Sequence, residues 1–453
     1  MAYRSCVTIL CLLNVILEVT DVFTLSVPQP RVCIIGAGYS GLGTARYMKE
    51  YGLNFTVFEA TRHIGGTWRF DPHVGVDEDG LPLFTSMYKN LRLIHICSNT
   101  FALYISTYYY LSYMGPKHTG ELWVYIGTPL PTPSGIQLQS LVTRVAYNGD
   151  QWEVSYMKTD SKENVTELCD FMVVASGEFS SPVIPDIDRL DAYKGRVMHS
   201  HDYKDPEDFR NRRVLLVGAG ASGLDLAMQL SNVTATLIHS HHLRYNQPEF
   251  SKTYLKKPDI DSFTPTGAIF VDGSTEEFDD VIFCTGYNYN HPFLDATAGV
   301  TASKKFVLPL YQQTVNIKHP SMMFVGVSKK VINRVMDAQG QYAAALASGK
   351  FQLPSQESML KKWLDHVYDL QNMGMKIIDV NVVNSMDEYF GNLTDEADVT
   401  PSPAVLTKIA RFNARNRLED LLHYRDYDYK IIDDQNYERT YSPKKEQPCP
   451  VDL

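Results

Sequence analysis

Two stretches of this 453-residue chain share one glycine spacing, GAGYSG at 36–41 and GAGASG at 218–223, each preceded by a short apolar run and followed by an amphipathic one. No other feature restricts the fold so much. In a strand–G-x-G-x-x-G–helix unit the first glycine makes the tight turn, the second lets backbone approach a pyrophosphate and the third lets the helix pack on the strand. The first unit has a strand at Val32 to Ile35, then Gly36, Gly38 and Gly41, a helix whose apolar side carries Leu42, Ala45 and Met48, and a second strand, FTVF, that ends at Glu59. Glu59 stands 23 residues after Gly36, where an acid accepts hydrogen bonds from a ribose. RHIGGTW follows. Gly65 and Gly66 can bring backbone against a large cofactor, with Thr67 and Trp68 beside it; a turn with a core tryptophan is the open alternative. An acid suits a free 2'-hydroxyl, so this site expects FAD or NAD.

The second unit repeats the plan with a strand at Val214 to Val217 and glycines Gly218, Gly220 and Gly223. Its second strand, ATLIH, ends without an acid, and Ser240, His241, His242 and Arg244 follow. Without a carboxylate nothing repels a 2'-phosphate, and Arg244 can pair with one, so NADP is expected here. A solvent-exposed histidine cluster is the alternative, and its spacing does not compel a metal site. Two such units suggest one tightly held redox cofactor and one exchangeable electron donor.

A formal charge of -10 opposes binding to nucleic acid and to anionic membrane. At the start, Arg4 precedes an apolar run from Cys6 to Leu17, too short to span a bilayer and suited to a cleaved signal peptide over 1–22. The expectation is a secreted, extracellular protein, with the endoplasmic reticulum lumen, a buried N-terminal helix or a short anchor as alternatives. Asn54, Asn164, Asn232 and Asn392 are glycosylation sequons, Asn54 against a strand. Cys33, Cys169 and Cys284 lie in or beside apolar strands and are expected as buried thiols; the spacing indicates no disulfide framework.

With these motifs, KGRVMHSHDYKDP at 194–206 resembles the identifying run of the flavin-containing monooxygenases. Tyr193, Gly195, His199 and Tyr203 take its aromatic, glycine, histidine and aromatic places, with tyrosine for the usual phenylalanine. TSMYKNL, VVASGEFSSP, VIFCTGYNYNHPFL and DAQGQYAAALASGK extend the likeness, which covers about 31 to 92 and 138 to 350 and, loosely, the remainder. The insect branch, with its alkaloid N-oxygenases, is most similar. The resemblance implies an α/β fold of two dinucleotide-binding, Rossmann-like domains, the NADP domain inserted into the FAD domain. The boundaries are 28–176 for the first part of the FAD domain, 177–280 for the NADP domain, and 281–453 for the second part with the tail. It implies FAD in the first site and NADPH in the second, with Thr285, Gly286 and Gln339 added to the cofactor residues. In the family, reduced FAD takes up dioxygen, and the flavin hydroperoxide oxygenates a soft nitrogen or sulfur, so tertiary amines, including pyrrolizidine alkaloids such as senecionine, are the expected substrates. His199 is then a structural and cofactor element of the crossover. The tyrosine-rich tail is expected to wrap the surface, without a membrane anchor, and a homo-oligomer is left open.

One segment departs from the pattern. Where the family has threonine or serine and then asparagine near the flavin, this chain has Leu93 and Ile94. Codons for Arg-Leu-Ile-His, read one base earlier, can encode Thr-Asn-Thr, which points to a frameshift or alternative exon between about 93 and 137. If the segment is genuine, Asn99 is the weak substitute, and a catalytically impaired, FAD-binding secreted protein becomes an alternative. Baeyer-Villiger and S-oxygenating enzymes are the nearer alternatives, while a flavin disulfide reductase lacks its Cys-x-x-Cys pair.

Overall fold

The computed structural model describes residues 29–69, 71–83, 95–97, 135–303, 305–328, 332–383 and 385–443. The expected signal segment and Leu93, Ile94 and Asn99 lie outside the described residues. In chain order the elements that place the two glycine turns are β1 (Arg31–Ile35), α1 (Tyr39–Glu50), β2 (Asn54–Phe58), β3 (Phe171–Val174), β4 (Arg196–His199), β5 (Arg213–Val217), α2 (Ala221–Leu230), β6 (Thr236–Ser240), β7 (Tyr254–Lys257), β8 (Asp280–Phe283) and α3 (Ile332–Ala347).

β1 is central in a seven-stranded sheet and parallel to both β2 and β3. Its Val-Cys-Ile-Ile run is apolar on both faces because both faces are covered, as parallel strands require. On one face α1 and α3 pack together through Leu42, Ala45, Met48, Val335, Ala338 and Tyr342. On the other, an antiparallel sheet of Ser140–Tyr147, Trp152–Lys158 and Asn164–Cys169 brings Trp152, Val154 and Tyr156 against Ile35 and Phe58. Here one expectation is corrected: Cys33 and Cys169, 136 residues apart, form a disulfide. The strand carrying Cys169 ends two residues before β3, which lies beside β1, so the two cysteines meet although nothing local announces it.

A five-stranded sheet runs in the order β4, β8, β5, β6, β7, all parallel. β8 pairs with β5 from Val214↔Asp280 to Val217↔Phe283, so the division expected after residue 280 falls inside this sheet and moves beyond Phe283. The polar run of 193–206 is the edge of that sheet. The Tyr193 hydroxyl donates to the Phe278 carbonyl at 3.1 Å. Its ring lies so close to Gly195 that a Cβ there would collide with it and stand 2.6 Å from the Asp279 carbonyl oxygen. Buried Asp280 accepts from Arg196 Nε at 2.6 Å and also from Arg212, which fastens β4 to β8. Only Lys194 to Val197 and Asp202 of the run are exposed; Tyr193, His199, Ser200, Tyr203 and Lys204 are buried.

Asp272 and Gly273 make the expected hairpin turn between Gly267–Phe270 and Thr275–Glu277, with Gly273 at φ +80°. The helix expected at the C-terminal side runs Gln356–Asn372. The tail does more than wrap. Tyr427–Ile431 and Tyr437–Tyr441 form a hairpin that buries Tyr429 and Ile431 against Val405 and Ile409 of helix Val405–Glu419. Before it, Leu421 and Tyr424 pack on Leu224 of α2, and Arg425 makes a two-pronged ion pair with Asp225 of the same helix. No described helix is long and apolar enough to cross a membrane.

Candidate functional site

Both glycine turns sit where a parallel strand hands over to a helix, outside the carboxyl ends of the sheets. Gly36 has φ +98°, and a Cβ on it would stand 2.6 Å from the Ala175 carbonyl oxygen. Its N–H donates to the Phe58 carbonyl at 2.8 Å, which fixes the next residue, Glu59, beside the turn. Glu59 Oε2 accepts from the Ala37 N–H at 2.8 Å, and Oε1 accepts from the Thr61 N–H at 2.9 Å and hydroxyl at 2.8 Å. Burial holds its pKa above the usual carboxylate value against those hydrogen bonds. The loop of Gly65, Gly66 and Thr67 folds over the fingerprint: the Gly65 N–H reaches the Ala37 carbonyl at 2.9 Å, and Gly66, at φ +54°, faces Gly38 backbone to backbone. A Cβ would collide at Gly36 and Gly41 and sit tight at Gly66, and the turn presents backbone and a helix N-terminus, which fits a pyrophosphate.

Gln339 is tied to protein partners. It is fully buried; its amide donates to the Gln313 carbonyl at 3.2 Å and to the Tyr389 hydroxyl at 3.0 Å, and its oxygen accepts from the Gly326 N–H at 3.0 Å. Both N–H groups are thus committed to protein. Its role is to hold Gly326, whose Cβ would stand 2.9 Å from Ser40 Oγ, against the first turn of α1.

The second turn copies the first. Gly218 has φ +97°, with the Cys284 carbonyl oxygen 2.8 Å from where its Cβ would lie, while the corresponding direction at Gly220 is open space. The expected histidine cluster divides. His242 is exposed and faces Asp259 at 3.1 Å, and Arg244 is exposed with no ion pair among the described residues. His241 is buried. His239, the last residue of the ATLIH run, was not singled out by its spacing, yet it braces the turn. Its Nε2–H donates to the Gly218 carbonyl at 2.9 Å, so Nδ1 accepts from the Tyr254 hydroxyl at 3.0 Å. Burial pushes its pKa down to about 3, which keeps it the neutral ring that this pairing needs.

Between the turns the chain crosses twice, and the crossings pair: Ser181–Pro182 runs antiparallel to Tyr287–Asn288. Thr285 donates its hydroxyl to the Val183 carbonyl, and the Val183 N–H donates to the Gly286 carbonyl at 2.9 Å. Thr285 and Gly286 therefore join the crossings here. Ser176 Oγ and His291 Nδ1 share a hydrogen bond of 3.2 Å at the same place. His199 lies edge-on to Tyr287 at 4.9 Å, and burial lowers its pKa to about 4, so it is neutral at working pH. Burial pushes the Cys284 thiol up to about 12, which removes it as a nucleophile.

This arrangement matches known proteins. The family model "Flavin-binding monooxygenase-like" matches residues 29–243 and 251–406. The chain is 48% identical over 448 residues to senecionine N-oxygenase of Tyria jacobaeae, covering 93% of this chain and 94% of that one. Among solved structures, Tmm from Pelagibacter sp. strain HTCC7211 superimposes with a TM-score of 0.75 at 22% identity, over 93% of this chain and 98% of that one. S-allyl-L-cysteine S-oxygenase from Allium sativum gives 0.74 at 24% identity, over 88% and 95%. With FAD as the resident cofactor and NADPH as the donor, the chain belongs to the flavin-binding monooxygenase-like family.

Proposed function

We propose that this monooxygenase N-oxygenates tertiary amines, pyrrolizidine alkaloids such as senecionine among them. The observation that carries the reading is the 48% identity, across 93% of the chain, to an enzyme named for that reaction. Reduced FAD supplies the activation of dioxygen, and the protein's part is to orient the two dinucleotides and exclude water. Gly36, Gly38, Gly41, Glu59, Gly65, Gly66, Thr67 and Trp68 would hold FAD, and Gly218, Gly220, Gly223 and Arg244 would hold NADPH. The NADP unit is inserted in the FAD unit; all five strands of its sheet lie between 196 and 283, while the other sheet draws on residues before 175 and after 309.

Export is part of the proposal. The Cys33–Cys169 disulfide suits an oxidising compartment, and the sequon residues Asn54, Asn164 and Asn232 are exposed. Secretion is tested by recovery from the medium and by the N-terminal sequence of the secreted form. For the activity, purified protein with NADPH is offered senecionine, a thioether and a cyclic ketone, with products identified by mass spectrometry. N-oxide from senecionine supports the reading. Sulfoxide or lactone alone transfers the enzyme to another substrate class, and hydrogen peroxide without oxygenated product marks an impaired enzyme.

A further inference from the structure

The two glycine turns can be aligned atom by atom through their hydrogen bonds. In the first, Ile35 pairs with Phe58, and the Gly36 N–H donates to the Phe58 carbonyl at 2.8 Å. In the second, Val217 pairs with Ser240, and the Gly218 N–H donates to the Ser240 carbonyl at 2.9 Å. The residue after Phe58 is Glu59, and the residue after Ser240 is His241, each 23 positions beyond the first glycine of its turn. His241 thus occupies the place from which an acid addresses the adenosine ribose.

Its surroundings differ from those of Glu59. Glu59 satisfies its oxygens on Ala37 and Thr61. His241 is only 4% exposed, and both of its ring nitrogens are buried without a hydrogen-bond partner among the described residues. Buried ring nitrogens left unpaired are costly, so such a group in a ligand cradle points to a ligand that pairs with it. On its own strand His239 lies edge-on at 4.4 Å; from the following loop Tyr245 approaches to 5.7 Å. Lys256 on β7, His242 and Asp259 are the charged or titratable groups whose fields reach it. Two positive or potentially positive neighbours against one carboxylate make this corner receptive to an anion, and Arg244 follows three residues later.

We propose that His241 is the residue that reads the 2' position of the donor's adenosine, donating to a 2'-phosphate oxygen where an acid would instead receive a 2'-hydroxyl. This rests on the assignment of NADPH to the second turn. Burial, with Lys256 and His242 beside it, lowers the His241 pKa to about 4 in the ligand-free protein, so the ring is neutral there. A phosphate dianion against it favours the imidazolium, and binding therefore takes up a proton. Above about pH 6, where the phosphate itself stays a dianion, the phosphate-dependent part of the affinity falls as pH rises through the pKa of His241 in the bound state.

The test is binding to the FAD-loaded protein by calorimetry, with NADP⁺, NAD⁺, 2',5'-ADP and 5'-AMP as probes. His241→Glu should weaken NADP⁺ and 2',5'-ADP by about tenfold or more, while NAD⁺ and 5'-AMP bind as before or more tightly. His241→Gln, which keeps a donor, should lose less. Parent protein titrated with 2',5'-ADP in buffers of different ionisation enthalpy should show more proton uptake than His241→Gln. Equal weakening of NADP⁺ and NAD⁺ by His241→Glu would assign the residue a merely structural role and overturn the proposal. So would unchanged NADP⁺ affinity in His241→Glu or unchanged proton uptake in His241→Gln. If Arg244→Ala abolishes the preference for NADP⁺ and His241→Glu does not, the donor assignment stands and the role of His241 falls. If the parent binds NAD⁺ as tightly as NADP⁺, the donor assignment itself fails.

Discussion

Replacing Arg425 by alanine should loosen the unit built on the five-stranded sheet from the rest of the molecule. The Arg425 guanidinium meets Asp225 at 2.7 and 3.0 Å, with side chains 19% and 5% exposed, and the partners are 200 residues apart. Around them Leu421 and Tyr424 pack on Leu224, and Asn246 binds the carbonyls of Leu418 and Glu419, each at 2.9 Å. Removing one partner of a buried pair costs about 3 to 5 kcal/mol, because the other charge stays desolvated. Arg425 is one-fifth open to water, and the lower end, about 3 kcal/mol, is the better figure. In a unit of about a hundred residues, at about 4 °C or more per kcal/mol, that corresponds to a fall in its melting temperature of roughly 12 °C or more. The assay is calorimetric unfolding of the FAD-loaded protein as a double-mutant cycle: Arg425→Ala, Asp225→Asn, and both. The double variant should recover at least half of the loss, since neutralising Asp225 removes the stranded charge. A melting temperature for Arg425→Ala within about 1 °C of the parent, or a double variant that recovers nothing, would refute the reasoning.

Gly36→Ala should yield protein poor in flavin, since a Cβ at φ +98° would also press on the Ala175 carbonyl oxygen at 2.6 Å; FAD-to-protein absorbance checks this, and full occupancy would contradict it. Asp337→Asn should raise stability above pH 6 and leave it nearly unchanged near pH 4. Burial lifts the Asp337 pKa from 3.8 to about 6, and one carboxylate oxygen has no hydrogen-bond partner while the other accepts from Tyr47 at 2.8 Å. A raised carboxylate pKa means stability that is full below the unfolded value and lost as pH rises through the folded one, so the neutral amide gains up to about 3 kcal/mol at pH 8. Melting temperatures at pH 4 and 8 decide it, and an equal change at both would exclude the charge as the cause.

What could be read in advance was what neighbouring residues determine. A turn with φ near +98° admits only glycine, and so Gly36 and Gly218 announced both cradles before any fold was seen. Glu59 was legible because its distance from Gly36 is the length of one strand-helix-strand unit. Contacts between distant segments were not legible. Nothing near Cys33 indicates Cys169, and nothing near Arg425 indicates Asp225. Gln339 looked like a cofactor contact, whereas its partners Gln313 and Tyr389 arrive from other parts of the chain and occupy its amide. His239 stayed hidden because its partners are a backbone carbonyl and a tyrosine on the next strand, and neither leaves a motif.

The pairing of Ser181–Pro182 with Tyr287–Asn288, tightened by Thr285 on Val183, means that the chain enters and leaves the five-stranded sheet at one spot. A segment with adjoining ends can be exchanged as a block, provided the replacement keeps the face of α2 that holds Leu421, Tyr424 and Arg425 of the tail. Cutting it out and joining the two ends by a short linker would leave β1, β2 and β3 in register, together with the disulfide between Cys33 and Cys169. The same geometry allows a second five-stranded unit to be grafted at this doorway without redrawing the sheet of β1, β2 and β3.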